Sequence, residues 1–241
     1  MMNAACYTGN RSRFYAHMEP GSLLVLFSGV EIRRTNDEFY PFFAERNFVY
    51  LTGLSCKEAV FLAAKDGDGR VRERLYILPP DFMAERWTGR RVKPYEAEAI
   101  SGIRDVRFVD SFAADLADFL SAGKAGRIYL DTYRQLPTDI ARPAHSLADR
   151  LMREYPALII ADASEIFRAL RTIKSPEEIA ALREAEKKTK ALPRVDAMPD
   201  SVENCALYLA GDGSMGLAWE EGVYVLTPME VQMGGLSLAE K

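Results

Sequence analysis

Past Pro79-Pro80 the chain alternates between helix-patterned and strand-patterned segments, and this order constrains the fold more than any other feature of the sequence. Helices are expected near Asp81 to Arg86, Pro94 to Ile100, Ser111 to Leu120 and Thr138 to Tyr155. Strands are expected at Val106 to Val109, Arg127 to Asp131 and Leu158 to Ala161. The Ser111 helix shows the logic: Ser111 stands at the cap, and Phe112, Leu116, Phe119 and Leu120 recur at helical spacing. Alternation of this kind points to a sheet with helices packed on its faces. Upstream, Arg11 to Met18 reads as a short helix stopped by Pro20-Gly21, ahead of the apolar run Ser22 to Phe27, a strand candidate. Asn47 to Leu51, Ala59 to Lys65 and Arg74 to Leu78 read as further strands of a meander, rich in Val, Phe and Tyr. Asp66-Gly67-Asp68-Gly69 is the hairpin turn between the last two; Arg70 and Ile77 stand where a calcium loop would need its third and final ligands.

Composition narrows the function classes. With 241 residues, 48% hydrophobic and 27% charged, one large domain or one domain plus an appendage is expected. A formal net charge of −4 leaves no electrostatic footprint for nucleic acid or an anionic membrane surface. No apolar run has the length of a signal-peptide core or a bilayer span, so a cytoplasmic location is expected. Cys6, Cys56 and Cys205 are far apart and read as reduced, packed or surface thiols. His17 and His145 are isolated imidazoles and read as surface or satisfied side chains, not metal ligands.

The hinge toward the C-terminal part is marked by Ser175-Pro176-Glu177-Glu178. Ser sits at the N-cap, Pro at the first helical position and Glu at the third, a capping box that opens a helix. Ile179, Leu182 and Ala185 give that helix one apolar face before the charged run Glu184 to Lys190. Beyond Pro193, Ser201 to Ala210 reads as a short helix and Gly222 to Thr227 as a short strand. Gly211 to Gly216 matches G-x-G-x-x-G, but Leu217 to Glu221 is too short for the crossover helix that would hold a pyrophosphate.

Three motifs in fixed order, Arg34 to Gly53 (RTNDEFYPFFAERNFVYLTG), Glu85 to Arg91 (ERWTGRR) and Ile173 to Ile179 (IKSPEEI), resemble the N-terminal domain of the Xaa-Pro aminopeptidase (aminopeptidase P), prolidase and creatinase family. The resemblance covers about Arg11 to Leu192. It implies an α/β fold of the creatinase/aminopeptidase P N-terminal type, a mixed β-sheet flanked by helices. On it rests the expected organisation: 1–172 as that domain, 173–192 as a linker helix toward a catalytic domain, 193–241 as an unassigned tail. It further implies homo-oligomers, dimers or tetramers, and a parent reaction on peptides with proline at the second position. That reaction uses two divalent metal ions, usually manganese, held by two Asp, one His and two Glu of the catalytic domain. Residues 193–241 contain no His. No cofactor and no metal-dependent peptidase activity are therefore expected of this chain alone.

Trp87, Arg90 and Arg91 are the candidate site residues. The resemblance places their segment near the entrance to a neighbouring subunit's active site, with an indole face for substrate packing and guanidinium groups for a peptide carboxylate or an acidic interface. The competing structural expectation is that Trp87 packs on the adjacent helix while the arginines are solvated or paired internally. Asn36 and Asp37 read as turn residues. Family members often carry Arg where this chain has Phe43. Three alternatives remain: a prolidase or creatinase relative, a stand-alone interaction or regulatory protein that kept the assembly surface, and a nucleotide-binding enzyme using Gly211 to Gly216.

Overall fold

In a computed structural model of the chain, the described residues are 2–121, 125–190, 206–209, 215–219 and 222–225. The chain divides into two units, Met1–Lys174 and Ser175–Lys241. In the first unit, strands β1 (Ser22–Phe27), β2 (Val60–Lys65), β3 (Val71–Ile77), β4 (Val106–Phe108), β5 (Arg127–Leu130) and β6 (Ile159–Asp162) form a six-stranded sheet in the order β4-β3-β2-β1-β5-β6. β2 runs antiparallel to both β1 and β3, while the other pairs are parallel, so the sheet is mixed. The β2–β3 hairpin turns where expected: Asp66 Oδ1 accepts from the Asp68 and Arg70 amides at 3.1 and 2.8 Å.

Alternation along β1 assigns its side chains to two cores. Leu24 and Leu26 join Phe14, Phe48, Leu51, Ala97 and Phe167 on one face, and Leu23 and Val25 join Leu116, Phe119, Leu147 and Leu151 on the other. The first face is thus covered by helices α1 (Ala4–His17), α2 (Arg46–Thr52), α4 (Pro94–Ser101) and α7 (Ser164–Thr172), and the second by α5 (Phe112–Ser121) and α6 (Pro143–Glu154). α3 (Phe82–Thr88) belongs to neither core. Beside the second core, the Tyr76 hydroxyl donates to Asp115 at 2.8 Å, and Arg74 and Arg107 bind the same carboxylate. Burial, then the Asp115 contact, pushes the Tyr76 hydroxyl well above its ordinary pKa.

Several expectations are corrected. Asn47 to Leu51 is not a strand but the body of α2. Its Val, Phe and Tyr content favours a strand, yet Phe48, Leu51 and Thr52 all bury on one helical face, and Gly53 stops the helix in the left-handed region at φ 73°. α1 begins at Ala4 because the Asn3 side chain caps it, accepting from the Cys6 amide at 3.0 Å. Its first half escapes an apolar count because polar Asn10 and Arg11 occupy buried positions. α6 starts only at Pro143: proline suits the first turn, and it drives Arg142 to an extended backbone that the helix cannot include. α7 was not anticipated.

Arg11 ties this unit together. Its Nη1 donates to the carbonyls of Leu51 and Ser101, both at 2.8 Å, at the C-terminal ends of α2 and α4. Its Nε donates to Glu73 Oε1 of β3 at 2.9 Å. The two helix ends share one local design. Thr52 and Ser101 each return a hydroxyl proton to the carbonyl four residues back and accept the amide two residues on. Gly53 and Gly102 then cap both in the left-handed region.

In the second unit, Ser175 and Glu178 form the expected reciprocal box, with Ser175 N to Glu178 Oε2 at 2.8 Å and Glu178 N to Ser175 Oγ at 3.2 Å, opening α8 (Pro176–Lys190). Strands β7 (Ala206–Leu209), β8 (Met215–Trp219) and β9 (Gly222–Val225) form an antiparallel sheet. Ala206–Leu209 is therefore a strand and not part of a helix, because cross-strand pairing with β8 outweighs local propensity. Residues 201–205, 210–214 and 226–227 of the tail expectations, and Cys205, lie outside the described residues. Among the described residues no helix is long and apolar enough to cross a membrane.

A Cβ at residue 53 would fall 2.3 Å from the Tyr7 ring, and one at 102 would fall 3.1 Å from the Thr8 hydroxyl. Gly53→Ala is therefore expected to cost about 3 kcal/mol, combining left-handed strain with overpacking, and Gly102→Ala less. Arg11→Met is expected to cost about 3 kcal/mol or more, since it takes the cation from Glu73, which keeps only the Tyr15 hydroxyl, and the donor from two buried carbonyls. Urea unfolding midpoints at constant slope check this ranking.

Candidate functional site

Asp81 opens the segment that carries the candidate residues. Its Oδ1 accepts from the Met83 and Ala84 amides at 3.1 and 3.0 Å, the N-cap role for which a short carboxylate is well shaped. The Ala84 hydrogen bond, with help from the Met83 amide and the Arg91 guanidinium, holds the Asp81 carboxyl below its ordinary pKa. The helix so started, α3, buries none of its residues. Trp87 is 86% exposed, Phe82 77% and Met83 63%. Met83 and Trp87, four residues apart, fall on one helical face. Trp87 does not pack on an adjacent helix of this unit.

The two arginines are paired internally. Arg90 forks onto Glu96 of α4, with Nη1 2.9 Å from Oε2 and Nη2 donating to Oε1. The same carboxylate accepts from the Lys93 amide at 2.9 Å, so it caps α4 while orienting Arg90. Arg91 donates from Nη1 to the Pro79 carbonyl and lies 4.0 Å from Asp81, while its buried Nε has no acceptor among the described residues. Both arginines border two hollows, of about 240 and about 570 Å³. Phe42, Leu78 and the Lys57–Glu31 ion pair help line the smaller, and Leu54, Ala99 and Ile100 the larger. Cys56 is shared by both. Burial pushes its thiol up to about 11, so it stays protonated at neutral pH and is no ready nucleophile.

Asn36 and Asp37 sit in the turn between Arg33 and Phe39, which form an isolated bridge; Arg33 donates to the Asn36 carbonyl. Phe43, in place of the family's frequent Arg, is 85% exposed. Among the described residues no three His, Cys, Asp or Glu side chains gather as a metal would require. Three of their carboxylates are held by guanidinium groups instead: Asp105 and Asp115 by Arg74 and Arg107, Glu96 by Arg90. His145 Nδ1 accepts from the Arg142 amide at 3.0 Å, and His17 bonds within its own helix. The described residues do not fit a two-metal centre.

Sequence reasoning missed a further concavity at the carboxyl ends of β5 and β6, where Arg46, Arg142, Arg168 and Arg171 converge. Part of it was readable: Ile166, Phe167 and Leu170 carry the helical spacing of α7.

The sequence profile of the aminopeptidase P N-terminal domain matches residues 7–129. The chain belongs to that family. It is 31% identical over 196 residues to the Xaa-Pro aminopeptidase of Haemophilus influenzae, covering 80% of this chain and 42% of that one. It is 28% identical over 181 residues to the Xaa-Pro aminopeptidase of Escherichia coli, covering 73% and 40%. The chain thus spans about two fifths of the length of the curated relatives it matches. A zinc-substituted aminopeptidase P from Escherichia coli, solved in complex with product, matches with a TM-score of 0.66 at 25% identity, over 78% of this chain and 43% of that one.

Cys56 is expected to resist alkylation near pH 8, reacting about a hundredfold more slowly than an ordinary thiol because so little thiolate is present. Its rate should climb until the pH nears about 11. Peptide mapping by mass spectrometry after timed iodoacetamide exposure reads both.

Proposed function

We propose that residues 1–172 serve as the non-catalytic N-terminal domain of a metal-dependent Xaa-Pro aminopeptidase, joining subunits and shaping access to the peptide site. In this reading residues 173–192 are the linker helix toward the catalytic domain, whose two metal ions, manganese by the family resemblance, perform the hydrolysis. The observation that carries the reading is α3: a helix that buries none of its residues yet presents Phe82, Met83 and Trp87 outward. Exposed large apolar side chains grouped on one element mark an interaction surface. Trp and Arg side by side are the residue types that anchor such surfaces.

Each residue has a role suited to its setting. Trp87 supplies a flat apolar face, to a partner subunit or to the apolar part of a peptide. Arg90, oriented by Glu96, and Arg91, oriented by the Pro79 carbonyl, frame the entrance with positive charge. The occupant is a second copy of the chain, in a dimer or tetramer. A cytoplasmic setting accords with the free thiols of Cys6 and Cys56.

Sedimentation velocity across a concentration series tests the assembly role. The unsubstituted chain is expected to associate, and Trp87→Ser to weaken association at least about tenfold, the loss of more than 1 kcal/mol typical of a central interface aromatic. A monomer at all concentrations, or association indifferent to Trp87→Ser, would sink the proposal.

A further inference from the structure

The carboxyl ends of β1, β5 and β6 hold a second site, remote in character from the apolar α3 face. After β1 the chain passes to α2 on one face of the sheet, and after the neighbouring parallel β5 it passes to α6 on the opposite face. Connections that leave adjacent parallel strands toward opposite faces open a crevice outside their carboxyl ends, where α/β sheets bind ligands. Here that crevice has a volume of about 450 Å³. Four arginines, Arg46, Arg142, Arg168 and Arg171, line it against two carboxylates, Glu45 and Asp131.

The pairing of these charges leaves positive charge in surplus. Arg142 is committed, donating from Nη1 to Glu45 Oε2 at 2.8 Å and from Nη2 to the Tyr133 carbonyl. Asp131 is engaged through Asn47, whose Nδ2 donates to its Oδ2 at 2.7 Å and whose Oδ1 accepts from Arg171 Nη1 at 2.8 Å. This Arg171–Asn47–Asp131 chain fixes the Arg171 guanidinium in place, and among the described residues its other N–H groups have no hydrogen-bond acceptor. Among the described residues Arg168 pairs only with Glu165, on its own exposed helix turn at 3.1 Å, a contact of little worth that a ligand can displace. Arg46 is exposed and makes no hydrogen bond or ion pair with a described residue.

We propose that this crevice binds a small molecule through an oxyanion, a phosphate or carboxylate group seated among Arg46, Arg168 and Arg171. The planar guanidinium fork matches either group in paired hydrogen bonds. The two sources share that chemistry and differ in geometry and charge, so separate titrations distinguish them.

The test is calorimetric titration of the full chain with inorganic phosphate and, separately, with succinate, in chloride buffer of constant ionic strength so that general screening does not change. Saturable binding of at least one anion is expected. Arg46→Gln, which removes a guanidinium that makes no hydrogen bond or ion pair with a described residue, should weaken it at least about tenfold, in keeping with the loss of a charge-assisted hydrogen bond. Arg153→Gln, on the exposed surface of α6, should leave it unchanged. Saturation by phosphate alone assigns a phosphate compound, by succinate alone a carboxylate, and by both the shared oxyanion recognition. Saturation by neither, or a titration that Arg46→Gln does not alter, overturns the proposal.

Discussion

Buried to 1% exposure beneath α1, the Arg11 guanidinium meets the C-terminal carbonyls of two helices and a carboxylate of the central sheet. A cation at a helix C-terminus is favoured by the helix dipole, and here one cation serves two. Replacing such a network by apolar groups can be neutral, but removing one partner leaves the others desolvated and unpaired. The positions of α2 and α4 relative to β3 therefore follow from one side chain. The left-handed glycines at 53 and 102 make this possible, because a Cβ at residue 53 would collide with the Tyr7 ring.

That arrangement sets up both surfaces at which the molecule has chemistry to offer. α4, held by Arg11 at its C-terminal end, presents Glu96 from its first turn, and Glu96 orients Arg90 beside the hollows at the α3 corner. α2, held likewise at its C-terminal end, presents Arg46 and Asn47 from its first turn into the crevice above β5. Short helices anchored at one end and displaying polar residues at the other are a direct way to position side chains on a rigid frame. The contrast between the sites is physical: uncovered apolar area at α3, and surplus guanidinium charge at the strand ends.

How much of this was legible in the sequence depended on whether apolar periodicity reported burial. It did for Ser111 to Leu120 and for β1, β2 and β3, whose buried positions are apolar apart from Asp115 and Ser22, and for Ser175-Pro176-Glu177-Glu178, whose box is purely local. It failed where tertiary contacts put polar groups inside, as with Asn10 and Arg11 of α1. It failed again at Asn47 to Leu51, where β-favouring residue types sit in a helix closed by glycine. The Trp87-x-Gly89-Arg90-Arg91 segment was found by motif, but Glu96 as the partner of Arg90 was not, since their pairing depends on the connection from α3 into the first turn of α4. The crevice was invisible for a stronger reason: its arginines come from α2, the residue ahead of α6, and α7, far apart in sequence, and only the crossing connections of the sheet make them neighbours.

Taken together, the described residues supply positioning, charge and uncovered apolar surface, and no grouping of metal ligands. The most direct measurement is hydrolysis of a Xaa-Pro peptide by the purified 241-residue chain, shown to be folded, with and without added manganese. The expected result is no release of the N-terminal residue above the metal-free control. Manganese-dependent turnover by this chain alone would contradict a non-catalytic role.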